Sequence, residues 1–175
     1  MADTVAITNL QITPLDPEQM TRPMVESGCA WYEVTATIES RSSATMFVMT
    51  SVRRSEYEAD RRTLVFDLSE HNQVESPRVS GLPLPPIVEA IRPGAETRVA
   101  WRLSSPIVIM ELGAGEDRAR FIHLEADVDT IECVVAYSDV APRLDTNLAS
   151  MEPPPSLRTW GDVTRASVTL KARET

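Results

Sequence analysis

The residues of this chain best suited to chemistry are two histidines, His71 and His123, and two cysteines, Cys29 and Cys133. A hydroxyl or thiol nucleophile needs a base beside it and a third group to orient that base. Neither histidine lies in a nucleophile motif, and the pattern Gly-x-Ser-x-Gly does not occur. His71 runs into a proline-rich stretch and His123 stands on the polar parity of a strand, so both read as surface residues. Two thiols without a spacing motif, helped by two imidazoles, do not make a zinc site either.

Asp127, Asp129 and Glu132 form the densest acidic group, near a strand turn, and oxygen-rich loops can hold calcium. The spacing and central glycine of an EF-hand loop are missing, which makes a solvated turn the simpler reading. Glu56, Glu58 and Asp60, flanked by Arg53, Arg54, Arg61 and Arg62, make what reads as a mixed charged surface. Lys171 is the only lysine, so a Schiff-base or phosphate-binding lysine would have to stand there, in a terminal strand.

The run Pro106-Ile-Val-Ile-Met-Glu-Leu-Gly-Ala-Gly115 resembles the nucleotide-binding loop of S-adenosylmethionine-dependent methyltransferases, where glycines let the backbone approach the cofactor and a helix follows. It departs from that pattern in three ways. Asp117 replaces the third glycine, Ala119 to Asp127 alternates like a strand, and only 60 residues remain after Gly115 for the rest of a parallel sheet. A hairpin turn over Gly113 to Asp117 explains the same residues, and no cofactor is expected. Arg120-Phe-Ile-His-Leu124, with Val128-Asp129 and Ile131, resembles a stretch of the small heat-shock protein sandwich and implies a chaperone-like role. The Gly-Val-Leu signature that follows in that family is replaced by Asp139-Val140-Ala141.

These residues must be held by strands, because period-two alternation runs the length of the chain. Tyr32, Val34, Ala36 and Ile38 share one side of a strand over Ala30 to Ser40, with Trp31, Glu33, Thr35, Thr37 and Glu39 on the other. A first strand is expected over Thr4 to Thr13, with a bulge near Asn9 where the apolar parity shifts. Pro14 to Gly28 reads as a loop with a short helical turn at Pro17 to Met20. Arg41 to Thr45 reads as a hairpin connection into Met46 to Val52. Arg53 to Arg62 reads as an exposed turn or short helix, followed by strands over Thr63 to Ser69, Arg98 to Ser104, Ile107 to Leu112, Ala119 to Asp127, Ile131 to Ser138 and Arg165 to Arg173.

Proline-rich loops at 70–94 and 141–162 cannot supply central strands, because proline has no N–H for a ladder. About nine short strands without a long helical period predict an all-β fold. It is expected to be one antiparallel β-sandwich domain over 1–175, an immunoglobulin-like Greek key of roughly 7–9 strands. The expected core gathers Val34, Ile38, Leu64, Phe66, Trp101, Leu103, Val135 and Leu170.

Charge narrows the partners. The chain has 175 residues and a formal net charge of −9, from 26 acids and 17 bases. A polyanion is repelled by such a field, so neither nucleic acid nor an anionic membrane is an expected partner. The N-terminus lacks the basic and apolar regions of a secretory signal, no apolar run reaches the roughly 18 residues of a membrane span, and a cytoplasmic chain with reduced cysteines is expected.

The sequence nominates no catalytic, cofactor-binding or metal-ligating residue. It predicts a non-enzymatic interaction or assembly module whose partner is a protein or a second copy, giving a homodimer. The surplus apolar residues Trp31, Phe47 and Met49 mark the expected surface, the alternative being that the proline-rich loops fold over this face within one chain. The alternative is an enzyme or small-ligand-binding protein whose site assembles from distant loops.

Overall fold

The computed structural model describes residues 4–52, 54–69, 87–111, 118–142 and 159–170. Among them the chain forms eleven strands and two short helices. These are β1 (Val5–Pro14), α1 (Arg22–Glu26), β2 (Ala30–Ser40), β3 (Met46–Met49), β4 (Arg54–Glu58), β5 (Thr63–Asp67) and β6 (Val88–Ile91). There follow β7 (Glu96–Ser105), β8 (Ile107–Glu111), β9 (Arg118–Ile122), α2 (Leu124–Asp127), β10 (Thr130–Ser138) and β11 (Asp162–Thr169). The structure is all-β, in three sheets.

One sheet has the order β1-β2-β7, all antiparallel. The largest has the order β4-β5-β10-β3-β6, with β11 also paired to β10. β8 and β9 make a separate two-stranded ribbon. Alternate residues of the central strands meet in one buried cluster: Tyr32, Val34, Ala36 and Ile38 from β2, Leu64 and Phe66 from β5, and Ile131, Cys133, Val135 and Tyr137 from β10. All eight residues of the expected core lie in or against this cluster, with Trp101 and Leu170 at its partly buried margin. Each large side chain so buried stabilises the fold by about 1.5–3 kcal/mol.

The parity shift in β1 has the expected cause. Asn9 takes a left-handed φ of 50°, and the β1–β2 register slips between Thr8 and Gln11. Asparagine tolerates that region better than a bulky residue, so one extra residue is absorbed there and both halves of β1 keep apolar side chains inward.

Several expected elements change. Arg41 to Thr45 is not a hairpin turn: β2 and β3 lie in different sheets, so this link crosses between them. The charged Arg53 to Arg62 run holds the expected short helical turn only at Ala59–Arg61; before it stands β4, an edge strand against β5 whose charges an edge tolerates. The proline-rich stretch ends in β6, another edge strand, while residues 70–86 lie outside the described ones. Ala119 to Asp127 is not one strand, because β9 stops at Ile122 and α2 follows.

The antiparallel expectation also fails at one ladder, since β5 runs parallel to β10 from Thr63↔Thr130 to Asp67↔Val134. Arg62 explains where that ladder starts. It adopts a left-handed φ of 48°, and its carbonyl accepts the N–H groups of both Asp129 (2.8 Å) and Thr130 (3.3 Å). Its Nε also donates to Asp129 Oδ2 at 2.9 Å, so the beginnings of the two strands are pinned side by side.

Candidate functional site

The acids that could have held calcium are separated by the fold. The Asp127 carboxylate accepts the backbone N–H of His123 at 2.7 Å, closing the single turn of α2. Asp129 is taken by Arg62. Glu132, its side chain only 10% exposed, receives Arg165 Nη1 at 2.6 Å and lies 3.6 Å from Arg61 Nη2. Among the described residues no group of three or more His, Cys, Asp or Glu side chains is placed to hold a metal ion.

His123 is exposed at the start of α2. His71, Lys171 and Gly113 to Asp117, where a turn is expected, lie outside the described residues; the strands before and after the last of these, β8 and β9, pair antiparallel. The methyltransferase pattern requires a helix after the glycines, and β9 stands there instead. Cys29 and Cys133 are both free thiols. Cys133 is fully buried, and burial, with Asp67 and Glu132 adding, pushes its pKa up to about 12. A thiol held protonated in the core is a packing residue and not a nucleophile.

One polar cluster was not legible in the sequence. Glu125 on α2 accepts the Tyr32 hydroxyl from β2 through Oε1 and the Ser105 hydroxyl from β7 through Oε2, the latter at 2.9 Å. Ser105 Oγ in turn accepts the Leu124 N–H at 3.0 Å. A carboxylate between two hydroxyl donors clamps α2 against the β1-β2-β7 sheet, and no imidazole joins it among the bonds observed. Residues from three elements distant in sequence make it, so no local pattern announces it.

Of the apolar surplus expected to mark an interface, Met49 is covered from within, whereas Trp31 and Phe47 stay half-buried. The Trp31 indole donates to Met24 O and to Ser27 Oγ, both at 3.1 Å, which ties the edge of that ring to α1 and the turn after it. Met49 is fully buried with Ala136, packed by Val88 and Trp160. Trp160 is fixed there by its own indole N–H, which donates to Val140 O at 3.0 Å.

The β8–β9 ribbon is different. On its inner face Ile107 and Ile122 pack into the core, and the Arg120 guanidinium lies 5.3 Å from the centre of the Tyr57 ring. On its outer face Val108 and Phe121 are direct cross-strand partners, 40% and 57% exposed. Ala119, Arg120 and Phe121 are exposed in succession, and among the described residues β9 is paired along one side only. An aromatic and a β-branched side chain set opposite each other in water form a small, ordered apolar platform of the kind that protein contacts use. The apolar residues on both parities of Ile107 to Met110 are the sequence signal that could have found it.

Comparison with protein-family models, with curated proteins and with solved structures finds no match. Among the described residues no helix is long and apolar enough to cross a membrane.

Proposed function

We propose that this chain is a non-enzymatic interaction module that docks a protein partner on the outer face of the β8–β9 ribbon. The observation that carries the reading is the exposed Val108–Phe121 cross-strand pair, on a ribbon that belongs to neither larger sheet. Exposed aromatic area ordered by a ladder loses little side-chain entropy on binding, which is why such residues anchor interfaces. The scaffold behind it reads as a β-sandwich of the immunoglobulin-like kind. Support for this comes from the shared core of the β1-β2-β7 sheet and the sheet around β10, while the parallel β5–β10 ladder is a departure from that plan.

A photo-crosslinking side chain placed in turn at Val108, Phe121 and Val25 tests the proposal in cells. Val25 is a fitting control because it is 55% exposed but lies on α1. Protein adducts from the two ribbon positions and not from Val25 are the expected result, whether the adduct is with another protein or a second copy. No adduct from either ribbon position, or an equal one from Val25, overturns the assignment.

A further inference from the structure

We infer that the edge of β9 left unpaired among the described residues takes a second copy of this chain, joining two ribbons into one four-stranded sheet with a continuous apolar row on its outer face. This deepens the docking reading above, since it names how the platform is completed.

The inference rests on register. The outer face of β9 is open at Phe121, and among the described residues the strand is paired only with β8. β9 itself offers five residues, Arg118–Ile122, to a ladder, and it ends there because the N–H and C=O of His123 are both taken within the α2 turn. The neighbouring edges are less suited: β4 carries Arg54, Glu56 and Glu58 at alternate positions, and β6 has only four residues.

An antiparallel pair of identical strands places one residue on the two-fold axis. With Arg120 there, arginine faces arginine; with Ala119 there, Arg118 faces Arg120. Like charges directly opposite destabilise a ladder. With Phe121 on the axis, the two Phe121 side chains face each other, Arg120 faces Ile122 and Ala119 faces His123. Because Val108 is already opposite Phe121 within each ribbon, the four strands then carry the row Val108, Phe121, Phe121, Val108. Charge agrees with this register. Arg120 comes to lie diagonal to Leu124 of the second copy, the first residue of a turn that carries Glu125 and Asp127. A basic strand end thus meets an acidic turn, which offsets the repulsion between two chains of net charge −9.

Sedimentation equilibrium across a concentration series, with cysteine crosslinking of the full chain, tests the inference. In a Cys29→Ser background, Phe121→Cys and Val108→Cys are prepared separately and treated with a mild thiol oxidant. Across the axis the position-121 Cα atoms are about 5 Å apart, within disulfide reach, whereas the position-108 pair is three strand spacings apart, about 14 Å. The expected result is a monomer–dimer equilibrium for the native chain, a disulfide-linked dimer for Phe121→Cys and none for Val108→Cys. A native chain that stays monomeric throughout, or any other crosslinking pattern, overturns the shared edge. In that event adducts between the ribbon and a different protein still leave the docking surface standing, so the two ideas fail separately.

Discussion

Phe66 of β5 and Trp101 of β7 meet edge to face, their ring centres 5.1 Å apart and their planes at 62°. The two strands belong to different sheets, so this contact links the two layers directly. Phe66 is 4% exposed, and its truncation to Ala should cost about 3–5 kcal/mol. A double-mutant cycle with Trp101→Ala should give a coupling of about 0.5–1.5 kcal/mol, read from urea unfolding. Additive losses would show that the rings do not act as a pair.

Gly161 is required by the turn into β11. Its φ is +71°, and a Cβ there would stand 2.1 Å from Tyr137 O and 2.7 Å from Tyr137 C. Backbone cannot yield as a flexible side chain can, so Gly161→Ala should destabilise by more than about 2 kcal/mol. Gly28 has a similar φ of +67° with nothing within 4 Å of its missing Cβ. Gly28→Ala should cost only about 1 kcal/mol, the left-handed strain alone. Equal unfolding midpoints for the two variants would contradict the close approach at Tyr137.

Strand parity made β2, β10 and the Asn9 bulge legible, because a buried face imposes its period on the side chains themselves. Sheet membership is not written locally. A five-residue link such as Arg41 to Thr45 is long enough to reverse within one sheet or to span the roughly 10 Å between two. β4 and β6 were missed because edge strands bury little and carry the charges that elsewhere mark loops. The ribbon surface needed the cross-strand partner of Phe121, and that register becomes visible only once β8 and β9 are paired.

Tyr32 and Ser105 hold α2 through Glu125. Tyr32→Phe removes one donor to that carboxylate and should cost about 1 kcal/mol. Its diagnostic effect is local: hydrogen exchange at Leu124 to Asp127 should quicken more than exchange in β10. Uniform acceleration across the chain would mean that the clamp has no separate role.

Cys133 makes stability depend on pH in the alkaline range. Its pKa rises from 9.0 to about 12 in the folded chain, chiefly through burial. Below pH 9 the thiol is protonated in both states and its contribution is complete. As pH rises from 9 towards 12 only the unfolded state loses the proton, so stability falls by about 1 kcal/mol per pH unit. The expected observation is a steeper alkaline loss in the native chain than in Cys133→Ala. Parallel curves from pH 8 to 12 would place the thiol in contact with water.

Phe121 and Ile122 are adjacent in β9 yet should respond to truncation in opposite ways. Ile122 is 1% exposed and packs in the core, so Ile122→Ala should cost about 2–5 kcal/mol. Phe121 is 57% exposed on the outer face, and Phe121→Ala should change stability by no more than about 0.5 kcal/mol. The side chain with the larger apolar surface is therefore the one the fold needs less, and its loss should instead reduce binding at the ribbon. Urea unfolding of the two variants, with crosslinking from Val108 in the Phe121→Ala background, reads both effects at once. A large stability loss in Phe121→Ala would place that ring inside the fold and remove the platform on which the docking surface depends.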